Sequence, residues 1–192
     1  AIKFINNHLF CSEMEATADS TRPSQRIGRD VFANPNPSQP NLHRTYCMGC
    51  HTAMDGMRGA FSSYSFDQNR LTYTKDSVHE KYNINPTNNP SGFRTVNDTW
   101  FNYYNQGSTK DFKFKGLTSG KGLKSLGKSL TNSDIFSKCM SQKVFERICL
   151  HKPVNATERA LVERLGQNFS QTNYNMKNLF KSMAANVTCY QE

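Results

Sequence analysis

Five consecutive residues carry the most specific chemistry in this chain: Cys47-Met48-Gly49-Cys50-His51. Two thiols with two residues between them, followed at once by an imidazole, form the C-x-x-C-H pattern that attaches a c-type haem. The thiols add across the two porphyrin vinyl groups, the spacer matches the separation of those groups, and the adjacent imidazole falls under the iron as proximal ligand. A C-x-x-C pair also serves as a redox disulfide or as half of a zinc site. A thioredoxin-like site needs a strand before it, whereas Asn34-Pro35-Asn36-Pro37-Ser38-Gln39-Pro40-Asn41 reads as an extended loop. A zinc ribbon needs a second C-x-x-C, which the chain lacks. Neither alternative explains His51. The motif predicts one haem c (iron) per chain, bound through Cys47 and Cys50 with His51 as the metal ligand.

The remaining cysteines are Cys11, Cys139, Cys149 and Cys189. Haem c is attached outside the cytoplasm, where thiols oxidise, so two disulfides are expected. Of the three connectivities that four cysteines allow, Cys149–Cys189 with Cys11–Cys139 is favoured, since Cys149 and Cys189 share the C-terminal helical region. A periplasmic, extracellular or cell-surface location follows from the same reasoning.

Function then turns on the sixth iron position. A second strong ligand makes an electron carrier, and an open position permits gas or peroxide chemistry. Met140 is the first candidate for the distal ligand, at the start of a helix after a Gly-rich loop. Met176, Met183, Met57 and His151 are the alternatives, although methionine at a helical core position most often fills space. His8, His43, His79 and His151 are the bis-histidine alternatives; His43 leads them, although its closeness to the motif argues that it stays on the proximal side. His79, His151 and Arg94 are the groups a distal pocket would draft for acid–base work.

These residues have to be positioned by a chain of 192 residues, 36% hydrophobic and 20% charged, which is enough for one domain around one core. No run approaches the roughly 18 apolar residues of a spanning helix, so no transmembrane segment is expected. Lys and Arg number 24 against 15 Asp and Glu, a net charge of +9. Such a balance favours an acidic partner. Lys110, Lys113, Lys115, Lys121, Lys124 and Lys128 form a basic run with only Asp111 as counter-charge, suited to steering an acidic redox partner or simply to solvation. Nucleic acid is disfavoured, because no recognition motif accompanies the charge.

The spacing predicts a mainly α fold in one domain. Residues 1–41 read as an N-terminal helix (from Ile2 to Phe10) and a polar loop, 42–68 as the haem-attachment segment, 69–130 as a hairpin and loop insertion, and 131–192 as C-terminal helices. Within the insertion, Thr99-Trp100-Phe101-Asn102-Tyr103-Tyr104 and Asp111-Phe112-Lys113-Phe114-Lys115 suggest a small β-hairpin. After His51, the glycines of Met54-Asp55-Gly56-Met57-Arg58-Gly59-Ala60-Phe61 permit a turn, and Phe61, Tyr64 and Phe66 supply aromatic surface for a porphyrin face or an ordinary core. Ile135, Phe136, Cys139, Met140, Val144, Phe145, Ile148 and Cys149 recur at three and four, a helical stripe. Thr131 with Asp134 offers it a capping box, and Pro153 a stop. A second helix should begin near Asn155, with Glu158 three residues on, and bury Leu161, Val162, Leu165 and Phe169. A third carries Met176, Leu179, Phe180, Met183 and Val187.

The order of these residues resembles the C-terminal haem region of the Planctomycete-type cytochrome c proteins, over most of the chain. In that family the haem motif is followed by Met or Ile, Asp-Pro and a Gly-Ala-Phe-like run; Met54-Asp55 and Gly59-Ala60-Phe61 match, and Gly56 stands where proline is usual. Gly122-Leu123-Lys124-Ser125-Leu126, Phe136-Ser137-Lys138-Cys139 and the run from Ala156 to Val187 match its later segments. The resemblance implies a cytochrome c-like helical haem domain with extra loops, in a chain that is a fragment or trimmed relative of a larger protein. The reading reached is a monohaem cytochrome that transfers single electrons outside the cytoplasm, an electron-transfer protein more than an enzyme. The alternatives are a five-coordinate haem enzyme or gas/peroxide sensor, and an electron-relay subunit of a larger surface assembly.

Overall fold

The computed structural model describes residues 1–13, 15, 18–19, 48–82, 94–104 and 117–186. Six α-helices lie among them: α1 (Ile2–Leu9), α2 (Met48–Met57), α3 (Gly122–Thr131), α4 (Asp134–Cys149), α5 (Ala156–Gln171) and α6 (Met176–Ala184). Two short antiparallel pairs complete the architecture, β1 (Tyr64–Asp67) with β2 (Arg70–Tyr73) and β3 (Thr99–Phe101) with β4 (Ser119–Lys121). The fold is mainly helical, as the sequence predicts.

The helices of the last third follow local signals. Asn155 caps α5 by accepting the Glu158 N–H at 2.9 Å, and the Glu158 carboxylate accepts the Val154 N–H at 2.7 Å. This reciprocal arrangement satisfies amide donors that a helix start leaves orphaned. Asn175 caps α6 the same way, through the Asn178 N–H at 3.1 Å. The start of α4 differs from the expected Thr131 box. Thr131 ends α3, with its hydroxyl 3.2 Å from the Gly127 and Lys128 carbonyls, and Ser133 is the N-cap residue. The end of α4 also comes before Pro153: Leu150 takes a left-handed conformation, φ 59°, immediately after Cys149.

Two apolar clusters form the core. The first joins Ile2, Ile5 and Phe10 to Ala53 and Met57 of α2, Ala60, Trp100, Tyr104, and Leu126 and Leu130 of α3. The second joins Val144, Phe145 and Cys149 of α4 to Leu161, Val162, Leu165 and Phe169 of α5 and Leu179 and Met183 of α6. Phe136 packs against both. Each fully buried large side chain contributes on the order of 1.5–3 kcal/mol of transfer free energy. Phe180 of α6 is partly exposed, and Val187 lies outside the described residues.

A disulfide joins Cys11 to Cys139 with 5.3 Å between Cα atoms, tying the N-terminal segment to α4 as expected. Cys149 is also disulfide-bonded. Its expected partner, Cys189, lies outside the described residues.

The β elements depart from the expected hairpin. Asp111–Lys115 and the loop from Ser20 to Asn41 lie outside the described residues, and the observed partner of β3 is Ser119–Lys121. The other hairpin lies earlier, at Tyr64–Asp67 and Arg70–Tyr73, across the expected boundary at residue 68. Its turn places Gln68 and Asn69 at φ 46° and 60°. Two positive φ values match the right-handed twist of the flanking strands, a role usually taken by Asn-Gly or Asp-Gly. The Asp67 carboxylate accepts the Gln68 N–H at 2.9 Å and helps to hold this turn.

The glycines after His51 serve close approach rather than a turn. A Cβ on Gly59 would lie 1.8 Å from the Thr99 carbonyl oxygen, and one on Gly56 would lie 2.7 Å from the Phe101 carbonyl oxygen. The backbone of β3 therefore presses directly on α2 and the 3-10 turn that follows it (Arg58–Phe61). Trp100 is fully buried at this junction and donates from Nε1 to Ser125 Oγ at 2.7 Å, so β3 joins α2 to α3.

Candidate functional site

Cys50 and His51 lie in the first turn of α2, half-buried, while the other face of the helix carries Ala53 and Met57 into the first cluster. Cys47, the first thiol of the motif, lies outside the described residues. An α-helix turns by about 100° per residue, so Met54, Asp55 and Arg58 fall on the side of α2 that carries His51. Met57 projects about 120° away from it and is fully buried.

At the site His51 pairs with Asp55. Nδ1 of His51 is 3.0 Å from both carboxylate oxygens of Asp55. The Asp55 side chain is 1% exposed, and Arg58 Nη1 lies 3.8 Å from its Oδ1. Burying a carboxylate is costly unless it is paired. The imidazole N–H and the guanidinium one turn further on supply that pairing. Because an ionised carboxylate only accepts hydrogen bonds, Nδ1 carries the ring proton in the neutral imidazole and Nε2 carries the lone pair.

On the same side of α2 runs a cleft of about 290 Å³ lined by Ala1, Ile2, Lys3, Met54, Arg58, Phe61 and Tyr82. Tyr82 donates its hydroxyl to the Phe61 carbonyl at 2.8 Å, which fixes that wall. Of the aromatics expected near a porphyrin, Phe61 lines this cleft, and Phe66 is exposed on the β1–β2 hairpin.

The candidate distal residues sit elsewhere. Met140 is the seventh residue of α4 rather than at a helix start as expected, and it packs against the second cluster. Met183 is buried in that cluster, and Met176 is partly exposed at the start of α6. His151 follows α4, edge-on to Phe145 with ring centroids 5.4 Å apart, and its Nδ1 is 2.9 Å from the Lys152 carbonyl oxygen. His8 stacks on Phe4 at 4.3 Å, His79 has its backbone N–H bound to the Ser62 carbonyl, Arg94 is exposed, and His43 is outside the described residues. None of them joins the His51–Asp55 pair among the described residues. Of the basic run, Lys121, Lys124 and Lys128 are described and exposed on β4 and α3, with Lys121 Nζ 4.0 Å from Asp98 Oδ1.

Asp55 and Arg58 were not among the residues that the motif singles out. Their signal in the sequence is the helical spacing: a carboxylate four residues after a histidine, and a guanidinium three further on, meet on one face. Glu158 is the one described side chain whose carboxyl is clearly held below its ordinary range. The Val154 N–H hydrogen bond is the main cause, opposed by burial and aided by the Asn155 contacts and the nearby His151.

No group of three or more His, Cys, Asp or Glu side chains arranged to hold a metal ion occurs among the described residues. No helix among them is long and apolar enough to cross a membrane. Fold and site together define a mainly helical, disulfide-bonded protein with a paired histidine beside a cysteine on one helix. No protein-family model matches the chain, and neither a curated protein nor a solved structure does.

Proposed function

We propose that this protein is a c-type cytochrome with one covalently bound haem that transfers single electrons outside the cytoplasm. The carrying observation is the C-x-x-C-H motif with its histidine held by a buried carboxylate on one helix. Metal-bound histidines almost always donate their second ring nitrogen to such a partner. The residues present fit the group. Cys50 and His51 occupy the accessible face of α2, the ring nitrogen turned from Asp55 bears the lone pair, and a cleft walled by Ile2, Met54, Phe61 and Tyr82 together with Lys3 and Arg58 lies on that side.

Bound haem supplies a one-electron iron couple. The Cys47 and Cys50 thiols would hold the porphyrin covalently, and His51 would offer Nε2 to the iron. Asp55 holds the imidazole ring in place, and the first cluster beneath Ala53 and Met57 keeps α2 rigid. Exposed Lys121, Lys124 and Lys128 provide positive charge for an acidic redox partner, a contact whose on-rate falls with salt. Haem attachment through this motif supports a periplasmic, extracellular or cell-surface location in this reading, where the Cys11–Cys139 disulfide is stable. A cytochrome c-like helical haem domain related to the Planctomycete-type proteins is the corresponding fold assignment.

The test is the absorption spectrum of purified protein, oxidised and reduced, with and without carbon monoxide, on material whose mass establishes covalent haem. A low-spin spectrum indifferent to carbon monoxide is expected. A high-spin spectrum that binds carbon monoxide would replace this reading with the enzyme or sensor. A haem-free mass after expression with a haem-attachment system, or retention of haem in Cys47→Ala/Cys50→Ala, would overturn it altogether.

A further inference from the structure

In the haem reading Asp55 holds the His51 ring, but attachment itself requires only the two thiols and the imidazole, so the effect of its charge on the iron is a separate question. The position of Asp55 is specific. Both of its oxygens lie 3.0 Å from His51 Nδ1, its side chain is 1% exposed, and Arg58 Nη1 lies 3.8 Å from its Oδ1. A carboxylate that served only to pack α2 would be better replaced by an apolar residue, because desolvating it costs several kcal/mol.

We propose that Asp55 is the positioning residue of this site: its carboxylate orients the His51 ring and draws on the Nδ1 proton, making Nε2 a stronger donor that favours ferric over ferrous iron. The inference rests on the haem reading and deepens it. The physical steps are short. An acceptor with full negative charge makes a stronger hydrogen bond than a neutral one. Pulling the Nδ1 proton towards Asp55 raises the electron density of the ring, and second-shell carboxylates raise ligand basicity in this way. A more basic ligand stabilises the higher charge on iron, so the protein would be a low-potential carrier within its class. Arg58 moderates the effect, because its guanidinium competes for Oδ1 from 3.8 Å.

The test compares wild type with Asp55→Asn, which keeps shape and an acceptor oxygen while removing the charge. Both proteins are first shown by mass to carry covalent haem and then titrated spectroelectrochemically. At the wild-type midpoint the ferrous-to-ferric ratio of Asp55→Asn should rise about tenfold, which is about 59 mV for a one-electron couple. Should the variant fail to fold, the wild type decides. In the ferrous protein, nitrogen-labelled His51 should show an Nδ1–H resonance far downfield and protected from exchange with water. Loaded protein with a ratio changed less than twofold, or an Nδ1–H that exchanges like that of free imidazole, would overturn the role of Asp55 and leave the haem reading standing. A haem-free mass overturns both.

Discussion

Removing the Cys11–Cys139 disulfide tests how the N-terminal helix is held to the rest of the protein. The two half-cystines are 128 residues apart, so the bond closes most of the chain into a loop. In the chain-entropy relation a closed loop of that length is worth about 5 kcal/mol, comparable with the whole stability of many domains. Opposing its loss, Ile2, Ile5 and Phe10 remain buried against α2 and α3, about 1.5–3 kcal/mol for each large side chain. The double variant Cys11→Ala/Cys139→Ala avoids placing a hydroxyl at Cys139, which is 1% exposed. It should stay folded with α1 docked and melt about 10–20 °C lower, at the roughly 2–4 °C per kcal/mol expected for a chain of this size. Circular dichroism during heating gives the shift. Because the cross-link acts mainly on the unfolded chain, urea unfolding should also show a steeper m value, as more surface is exposed once the loop is open. A fall of less than about 3 °C, against the size scaling, with an unchanged m value would refute the argument. It would mean that packing alone holds α1 and that the bond constrains little.

Three further outcomes follow from single contacts. Gly59→Ala would force a Cβ onto the Thr99 carbonyl 1.8 Å away; it should cost about 1–3 kcal/mol as overpacking, seen as a lower urea midpoint, and an unchanged midpoint would contradict the close approach of β3. Asn155→Ala removes the side-chain acceptor at the start of α5 and should cost about 1 kcal/mol, measured by thermal unfolding. Glu158 has its carboxyl held below the ordinary range by the Val154 N–H. Its folded-state value is therefore the lower one, so its contribution is complete above the ordinary carboxylate range and disappears as pH falls through and below that range. Glu158→Gln should flatten the acid limb of the stability profile, and an identical acid limb in the variant would show that the carboxylate carries none of it.

Much of the local architecture was legible in the sequence. The C-x-x-C-H run states its own chemistry, because the spacing of two thiols and an imidazole needs no fold to be recognised. The α4 stripe and the Asn155–Glu158 cap are equally local, since periodicity and capping involve residues within one or two turns of each other. The sequence favours pairing Cys11 with Cys139, but only the tertiary structure brings their Cα atoms to 5.3 Å. The turn at Gln68 and Asn69 is not legible locally for a physical reason: neither residue is a glycine, and although Asn tolerates the left-handed region, the positive φ of Gln68 is held by the strand pairing around it. The roles of Gly56 and Gly59 were also invisible, because what they make room for is β3, some forty residues further along.

The site divides along the same line. The sequence by itself determined which atoms are available: thiols at Cys47 and Cys50, an imidazole at His51, and a carboxylate and a guanidinium at helical spacing beyond it. Tertiary structure decided which of them are out of water. Trp100, Leu126 and the N-terminal helix close over one side of α2 and leave Cys50 and His51 half-exposed on the other. Asp55 is buried at that boundary, paired with His51 of its own helix and with Arg58 of the 3-10 turn that follows. Spacing along a helix is a property of the chain, but burial is a property of everything packed around it. A carboxylate that would be an ordinary solvated charge on an isolated helix thereby becomes the partner that fixes the His51 ring.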